Sequence, residues 1–312
     1  MSAALSTPRR FRLGVIGAGR VGAVLAAALH AAGYEAVAVS GGSAASRTRI
    51  EMLLPHLSPV EPEQVARVAD LLLLSVPDDS LGALVERLSA ADALRPGQVV
   101  VHTSGRHGLA VASVAADRGC VTVALHPAMT FTGTDVDLDR LPGCTYGLTA
   151  DPDGREVARQ LVADLGGRTV EVAEEQRTLY HAALAHGANH LGTLVAQAMD
   201  LLRAAGSTNP AGTLRPLLQA ALDNCLTYGD AALTGPVVRG DSGTVADHLS
   251  ALQAFTARAS DGAVGDSDDI SRAYVAMASV TATRAERAGR LDTAAAAELQ
   301  QLLEVRSHHL SR

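Results

Sequence analysis

Short apolar runs with the length of buried strands recur through the first half of the chain, and segments with helical spacing separate them. The strand-like runs are Leu13–Ile16, Ala36–Val39, Leu71–Val76, Val99–His102, Val121–Leu125, Thr145–Leu148 and Thr169–Val172. The helical segments between them include Val21–Ala32, Ser80–Ser89 and Arg155–Leu165. Strands that alternate with helices form parallel sheets, so the pattern predicts a doubly wound, mostly parallel α/β sheet.

The strand pattern ends near Ala173, and long Ala- and Leu-rich segments follow. Breaks at Gly206–Pro210, Gly235–Pro236, Gly240–Gly243 and Asp261–Asp269 divide this half into four to six predicted helices. We therefore expect two domains, an α/β domain over residues 11–173 and an all-α domain over residues 174–312.

Composition and charge exclude several classes of protein. The net charge is −7 and no arginine cluster forms a basic patch, so we expect no nucleic-acid partner. The apolar stretches are too short or too interrupted to span a membrane, and residues 1–12 do not resemble a signal peptide. Cys120, Cys144 and Cys225 fit neither a disulfide framework nor a zinc site. We expect a cytoplasmic protein with reduced thiols.

A glycine-rich turn follows the first predicted strand directly and opens the first predicted helix. Its residues fit the pattern G-x-G-x-x-G: Gly17, Ala18, Gly19, Arg20, Val21 and Gly22. In this context Gly17 allows a tight turn, Gly19 lets the backbone approach a pyrophosphate, and Gly22 lets the helix pack on the strand. The motif predicts a Rossmann dinucleotide-binding domain.

The end of the second predicted strand indicates which dinucleotide binds. An NAD site usually has an acidic residue there, but none lies between Glu35 and Glu51. The segment instead provides hydroxyls and guanidiniums that suit the 2′-phosphate of NADP: Ser40, Ser43, Arg47 and Arg49. The sequence favours NADP(H) over NAD(H).

Two further strand ends are predicted to reach the same crevice, because ligands of open α/β sheets bind outside the carboxyl ends of the strands. We expect the nicotinamide half to be lined by Ser75, Val76 and Pro77 after one strand and by Thr103, Ser104 and Gly105 after the next.

The chain contains no lysine, so the groups that can exchange a proton near neutral pH are chiefly its eleven histidines. His126 follows a predicted strand, and Pro127 holds it extended. On the helix after Glu174, His181, Ala185 and Asn189 form a row with i, i+4 spacing. His126 and His181 are therefore the candidate proton donors. A core or surface role remains the alternative for each of them.

A second histidine group on the same helix, His186 with His190, has the spacing of two metal ligands. No glutamate follows His186 as in a zincin motif, and the sequence offers no evident third ligand. We therefore predict no metal site.

The segment Gly235–Asp241 is predicted to be a loop between helices. Within it, Arg239 is the candidate anchor for a substrate carboxylate, and Asp241 either orients that arginine or caps the next helix. Thr244 with Asp247 resembles a capping box at the start of the same helix. A plain Arg–Asp pair between helices is the alternative.

The glycine motif, the strand that ends in Val-Pro-Asp and the helical second half resemble a superfamily of reductases that includes pyrroline-5-carboxylate reductase, ketopantoate reductase and the 6-phosphogluconate and β-hydroxyacid dehydrogenases. More narrowly, the chain resembles a predicted-oxidoreductase family with a Rossmann-like domain and a C-terminal domain of unknown function. The segments that carry this resemblance are Leu125–Phe131, Tyr180–Ala183 continuing to Asn189, and Thr234–Asp241.

The resemblance implies NADP-dependent reduction, a homodimer formed through the C-terminal helices and a link to pantothenate biosynthesis. Relatives place a catalytic lysine four residues before the asparagine that corresponds to Asn189, but here that position is Ala185. The lysine's role therefore does not transfer to this chain.

Together these observations predict an NADPH-dependent reductase of a small carboxylated 2-oxo acid, with a ketopantoate-like compound as the leading candidate. Asn189 and Arg239 would position the substrate, and His181 or His126 would donate the proton. Two alternatives stay open: an imine reductase of the pyrroline-5-carboxylate type, which needs less acid help, and a dinucleotide-binding sensor without turnover.

Overall fold

The computed structural model describes residues 11–260 and 268–310, and the side chains of residues 258–260 and 306–310 are not part of that description. The segment before residue 11 and most of the predicted break at Asp261–Asp269 lie outside the described residues. By its internal contacts the chain divides into two compact units, Met1–His190 and Leu191–Arg312.

The first unit contains a seven-stranded sheet in the order β2-β1-β3-β4-β5-β6-β7. All neighbouring strands run parallel except β5 and β6. This arrangement confirms the predicted doubly wound, mostly parallel sheet. The strands are β1 (Arg12–Ile16), β2 (Glu35–Ser40), β3 (Leu71–Leu74), β4 (Val99–His102), β5 (Val121–Pro127), β6 (Thr145–Ala150) and β7 (Arg168–Glu171).

Helices follow most of the strands, as predicted. They are α1 (Arg20–Ala31), α2 (Ala44–Leu53), α3 (Pro62–Val68), α4 (Asp78–Ala90), α5 (Ser113–Asp117) and α6 (Pro152–Asp164). Short 3₁₀ turns lie at Ala110–Ala112, Asp135–Arg140 and Glu174–Gln176.

The alternation of side chains along β3 shows why the sheet is covered on both faces. Leu71 and Leu73 belong to one core cluster, which includes Ala23 of α1 and Ala158 of α6. Leu72 and Leu74 belong to another, which includes residues of α3 and α4. Successive residues of a strand point to opposite faces, so a run of four buried leucines requires helices on both sides.

The sequence did not indicate that β5 and β6 are antiparallel, whereas the other neighbouring strands are parallel. The segment between the two strands contains only a 3₁₀ turn, so the chain returns without the helical crossover that a parallel connection needs. The buried carboxylate of Asp137 holds this return by accepting hydrogen bonds from the backbone N–H groups of Thr132 (2.8 Å) and Gly133 (2.7 Å).

The second half is helical, and its five α-helices in the described residues agree with the predicted four to six. They are α7 (Arg177–Ala204), α8 (Pro210–Tyr228), α9 (Ser242–Ser260), α10 (Asp268–Arg287) and α11 (Thr293–Leu310). The core of the second unit is formed largely by α9, α10 and α11, with Val245, Val275 and Leu299 at its centre.

The division between the two units falls within α7, after His190. The sheet itself ends at Glu171, close to the predicted domain boundary at residue 173, but the first turns of α7 pack on the ends of β5 and β6 and belong to the first unit. The domain limits drawn from the sequence stay a prediction. Across the described ranges, no helix is both long and apolar enough to cross a membrane.

Candidate functional site

The glycine-rich turn after β1 has the geometry that a dinucleotide site requires. Gly17 has a φ of 96°, which favours glycine, and a Cβ there would lie 2.6 Å from the carbonyl oxygen of Ser75. A Cβ at Gly22 would clash with the carbonyl oxygen of Gly17, so α1 packs directly on the turn. A Cβ at Gly19 would have no described neighbour closer than 4.0 Å, which leaves room above this residue.

The positive end of the α1 helix dipole is not neutralised by an acidic side chain and can therefore attract an anion. Gly19 is the N-cap and makes no side-chain capping bond, and the first turn contains no acidic residue. The first N–H groups of a helix have no partners within the helix, so this end can bind a pyrophosphate. Ala18 is buried beneath the turn, Val21 is half-buried and Arg20 is exposed.

The end of β2 is joined to the turn by backbone hydrogen bonds. The carbonyl oxygen of Ser40 accepts from the N–H groups of Gly17 (3.1 Å) and Ala18 (3.0 Å). Ser43 caps α2, because its hydroxyl accepts from the N–H of Ser46 at 3.0 Å. Ser40, the first of the residues predicted to select NADP, therefore contacts the glycine turn directly.

Arg47 and Arg49 extend from α2 with their guanidiniums bonded to the local backbone. Nη1 of Arg47 donates to the carbonyl of Gly42 at 2.9 Å, and Nη1 of Arg49 donates to that of Ala45 at 3.1 Å. A Cβ at Gly133, on the loop after β5, would lie 2.6 Å from Nε of Arg49. Arg47 is exposed and Arg49 half-buried, so a phosphate can exchange for these backbone contacts.

A cleft of about 380 Å³ opens beside the glycine turn, at the side of β2. Three serine hydroxyls and one guanidinium contribute to its walls, and the guanidinium of Arg87 is held by Glu63 (2.9 Å) and Glu61 (3.5 Å). Its lining includes Gly17, Ser40, Gly41, Gly42, Ser46, Val76, Ser80, Leu84 and Arg87. The cleft has the position and polarity for the adenosine half of a dinucleotide.

The next two strand ends continue from the turn along the same edge of the sheet. Ser75 follows β3, and its hydroxyl lies 3.0 Å from that of Thr103, which follows β4. The hydroxyl of the buried Ser104 accepts from the N–H of His107 at 3.1 Å. Pro77 precedes α4 directly. The residues predicted for the nicotinamide half therefore share one edge with Gly17.

Both candidate histidines lie together at the ends of β4 and β5. The ring centroids of His126 and His181 are 5.8 Å apart, and a Cβ at Gly105 would lie 2.6 Å from the ring of His181 and 3.1 Å from Nε2 of His126. The hydroxyl of Tyr180 lies 3.2 Å from Nδ1 of His126. Its ring packs on Gly147, which is paired with His126 across β5 and β6. We call His126, Tyr180 and His181 the histidine cluster.

The first turn of α7 and the 3₁₀ turn before it hold the loop after β4 in place. Nη2 of Arg177 donates to the carbonyl of Ser104 at 2.6 Å. The carboxylate of Glu174 accepts from the N–H groups of Leu109 (2.7 Å) and Ala110 (3.1 Å). This loop carries Gly105, so these contacts fix its distance from the cluster.

Burial keeps two histidines of this region neutral. Desolvation, with smaller contributions from the charges of His181 and Arg177, lowers the pKa of His126 to about 4. His102, at the end of β4, is 1% exposed, and burial lowers its pKa to about 4 as well. Nε2 of His102 lies 2.8 Å from the carbonyl of Gly108, so this nitrogen carries the proton. At neutral pH both imidazoles are uncharged hydrogen-bonding groups.

The remaining predicted residues lie away from this cluster or in the other unit. Asn189 is exposed on α7, eight residues after His181 and therefore roughly 12 Å further along the helix axis. Arg239 is exposed on the loop before α9, in the second unit. Asp241 is the cap of α9, since its carboxylate accepts from the N–H (3.0 Å) and the hydroxyl (2.7 Å) of Thr244. The helix thus begins at Ser242, and the capping box predicted from Thr244 and Asp247 is wrong by one turn.

The i, i+4 pair on α7 is close but isolated. Nδ1 of His186 lies 2.9 Å from Nδ1 of His190, and both side chains are exposed. In the parts of the chain that the structure describes, no three His, Cys, Asp or Glu side chains converge as metal ligands would.

Two protein-family models match successive parts of the chain. Residues 2–127 match the model described as a Rossmann-like domain, and residues 144–281 match the model described as a domain of unknown function, DUF2520. The chain pairs a Rossmann-like domain with a DUF2520 domain. This combination confirms the resemblance drawn from the motifs. No curated protein matches the sequence.

Solved structures show the same fold at low identity. A candidate NADP oxidoreductase from Bacteroides fragilis is 21% identical with a TM-score of 0.72, and the match covers 87% of this chain and 97% of that one. Pyrroline carboxylate reductase from Plasmodium falciparum, with NADP bound, is 13% identical with a TM-score of 0.55 over 87% and 98%. Pyrroline-5-carboxylate reductase from Coxiella burnetii is 15% identical with a TM-score of 0.53 over 97% and 100%.

Several residues of the candidate site were missed in the sequence. Arg177 had the pattern of a solvated helix residue, and only the fold shows that it is buried. Arg87 and Ser80 line the cleft of the Rossmann-like domain from α4, a helix that no motif marks. Tyr180 contacts His126, and the one signal for this in the sequence was that Tyr180 directly precedes the candidate His181.

Proposed function

We propose that this protein is an NADPH-dependent reductase of a small carboxylated 2-oxo acid, with a ketopantoate-like compound as the leading candidate. The observation that carries the proposal is the set of residues at one edge of the sheet. Successive neighbouring strands β1, β3, β4 and β5 bring Gly17, Ser75, Thr103 and His126 to that edge. A dinucleotide turn and a proton-exchanging cluster therefore occupy the same side of one domain.

The residues around the glycine turn fit NADP(H). The backbone of Gly17–Gly22 and the N-terminus of α1 would hold the pyrophosphate, and Ser40, Ser43, Arg47 and Arg49 would bind the 2′-phosphate. The row Ser75–Pro77 and Thr103–Gly105 would line the nicotinamide half. When bound, the nicotinamide supplies a hydride. Two structural neighbours are named for NADP and others for NAD or NADH, so the choice of NADP rests on the residues at the end of β2.

The histidine cluster would supply the proton that carbonyl reduction requires. His126 is neutral near pH 7, so we assign it a hydrogen bond to the substrate oxygen and assign proton donation to His181. Tyr180 orients His126 through its hydroxyl. Asn189 and Arg239 would position the substrate, with Arg239 on the carboxylate.

The deciding experiment titrates the purified protein with NADPH and NADH and then follows NADPH oxidation with ketopantoate. We expect NADPH to bind at least about tenfold more tightly, equivalent to about 1.4 kcal/mol, and turnover to depend on His181. Loss of turnover in His181→Gln with unchanged NADPH affinity would support the assignment. NADPH binding without turnover of any oxo or imino acid would indicate a sensor, and the absence of nucleotide binding would refute the proposal.

An imine reductase is the second candidate, because Ala185 occupies the position of the lysine in related ketone reductases and two structural neighbours are pyrroline carboxylate reductases. Reduction of an imine needs less acid help than reduction of a ketone. A rate that is independent of pH across the histidine range would favour this candidate.

We further infer a cytoplasmic homodimer. Helix α8 has a single buried residue among its described side chains, Leu214, whereas Leu217 and Leu226 are 64% and 78% exposed. A groove of about 600 Å³ between α8 and the second half of α7 is lined mostly by apolar side chains. Exposed apolar surface of this extent indicates a protein partner. In the inferred homodimer, that partner is a second copy of this chain. The exposed free thiol of Cys225 fits a reducing compartment.

A further inference from the structure

Arg177 is a fully buried cation without a carboxylate partner. Its exposure is 0%, and its donors go to the carbonyl of Ser104 (2.6 Å), the hydroxyl of Thr149 (3.1 Å) and the carbonyl of Gly147 (3.4 Å). Nε is buried and has no hydrogen-bond partner. Among residues 11–260 and 268–310, no carboxylate forms a salt bridge with it, and the charges of Glu174 and Asp78 attract it from further away. The groups in direct contact with its charge are therefore neutral dipoles.

Burying a charge without a salt-bridge partner is costly. Because no adjacent carboxylate neutralises the guanidinium, its electric field acts on the groups around it. The groups that face the charge here are the histidine cluster, the loop after β4 and, at a greater distance, the carboxylates of Glu174 and Asp78. Tyr180 lies on the same helix with its ring 6.0 Å from the guanidinium carbon, and Gly147, on which that ring packs, provides one of the accepting carbonyls.

In addition to burial, the charge of Arg177 acts on His126 from its position and lowers the pKa of that ring. Burial is the main cause of the low pKa of His126, and the charged groups that add to or oppose it are His181 and Arg177 from α7 and Asp78 from the start of α4, while Tyr180 contacts the ring. Asp78 acts in the opposite direction to His181 and Arg177, and it is itself 3.6 Å from Arg106. The charge of Arg177 adds to the effect of burial, and it favours neutral imidazole and any anion placed beside the ring.

We propose that Arg177 is a positioning residue that makes the histidine cluster select substrates on which negative charge develops, which means a carbonyl group and not an iminium group. This inference rests on the proposed reductase function and names its substrate class. Arg177 would act in two ways, by fixing the Ser104–Gly105 backbone against His181 and by supplying positive potential at the reacting atoms.

The chemistry of the two reductions gives the direction of the effect. When a carbonyl carbon gains a hydride with its two electrons, the C–O π bond breaks and the oxygen becomes an anion until it takes a proton from His181, while NADPH is oxidised to NADP⁺. When an iminium carbon gains a hydride, the C–N π electrons return to nitrogen and a cation becomes a neutral amine. A nearby buried cation stabilises the first transition state and disfavours binding of the second substrate.

Titration of the histidine ring signals by NMR tests the electrostatic part without any turnover, with His126→Gln used to assign the signal. In Arg177→Gln we expect His126 to bind protons about threefold more tightly or better, whereas Arg177→Lys should keep the wild-type value because it retains the charge. Arg155→Gln is the matched control, since Arg155 is a half-exposed arginine of the same domain that donates to the carbonyl of Ala150 and pairs with Glu171. An unchanged His126 titration in Arg177→Gln would overturn the proposal.

Turnover of two probes tests the selection. Wild-type protein should oxidise NADPH with ketopantoate at least about tenfold faster than with Δ¹-pyrroline-5-carboxylate, and Arg177→Gln should lose at least about tenfold with the oxo acid and less with the imine. Equal losses with both substrates, or a wild-type preference for the imine, would contradict charge selection.

The outcomes separate the two proposals. If the wild type reduces neither probe, the proposed function fails in its substrate class while the NMR titration still reports on Arg177. If circular dichroism shows that Arg177→Gln does not fold, Arg177→Lys and the wild-type preference between the two probes decide the question. A low His126 pKa and an oxo-acid preference in both proteins would support the proposal, and an imine preference in either would contradict it.

Discussion

The imidazole of His181 lies against the backbone of Gly105, so closely that a Cβ at position 105 would come within 2.6 Å of its Cδ2. Gly105 follows β4 and His181 belongs to α7, so this contact joins the first helix of the helical half to the sheet edge that carries Gly17, Ser75 and Thr103. A residue with a side chain at position 105 would separate them. The close approach of α7 to the sheet therefore depends on a missing methyl group.

Gly105→Ala should displace His181 and lower kcat about 10- to 100-fold, because small shifts of an acid relative to its substrate have effects of this size. NADPH affinity should stay within about twofold, since the glycine turn is untouched. Gly82→Ala is the control, because a Cβ there would meet Val111 at an ordinary 3.7 Å. Equal kcat values for the two variants would show that the His181–Gly105 contact has no part in turnover.

The double variant Arg47→Gln/Arg49→Gln should weaken NADPH binding at least about tenfold and change NADH binding less than about threefold, because only NADPH carries a 2′-phosphate. Calorimetric titration with both nucleotides measures the ratio. Arg159→Gln, on α6, controls for the loss of surface charge. A preference that survives the double variant and disappears in Arg87→Gln would place phosphate recognition in the cleft instead.

His102 predicts a loss of stability in mild acid. Its pKa is about 4 in the folded protein and near 6.5 when unfolded, so the unfolded chain binds more protons between these values. The contribution of His102 to the free energy of unfolding should therefore be complete above pH 6.5 and decrease by up to about 3 kcal/mol as the pH decreases towards 4, in addition to the contribution of His126. Urea unfolding at pH 7.5, 6.0 and 5.0 measures the slope. His102→Gln, which keeps a donor to Gly108, should reduce it, and an unchanged slope would mean that His102 titrates normally.

Arg239→Gln should raise KM for the oxo acid about tenfold or more with little change in kcat, as expected for a residue that binds the carboxylate equally in the ground and transition states. Arg239 is exposed and lies in the second unit, so the folding of the first unit should be unaffected. Arg287→Gln on α10 removes the same charge elsewhere in the helical half. If KM with Arg239→Gln equals that of this control, the carboxylate binds elsewhere.

Leu226→Glu should convert a dimer into monomers, because a charge on a desolvated interface is strongly unfavourable, whereas on a solvated surface it changes stability little. Light scattering coupled to gel filtration measures the mass. Val170→Glu, at a 43% exposed position on β7, is the control for adding a charge to an exposed apolar residue. A monomeric wild-type protein would refute the inference from α8.

Much of the Rossmann-like domain could be predicted because local patterns specify it. Four consecutive leucines at Leu71–Leu74 require a strand that is buried on both faces, and the glycines at 17, 19 and 22 directly after a strand specify the turn and the packing of α1. The antiparallel direction of β6 could not be predicted in this way, because it depends on the short return through Asp137 and not on a pattern within the strand.

The sequence by itself determined the parallel sheet, the dinucleotide turn, the helical second half and the two histidines that became candidates, since each follows from spacing or composition along a continuous segment. Only the tertiary structure decided that Arg177 is buried, that Tyr180 contacts His126, and that Arg87 lines the cleft beside Ser40. The physical reason is that these relationships join residues 54 or more positions apart, or depend on which face of a helix meets the sheet. For such contacts, burial and charge compensation are properties of the packed molecule.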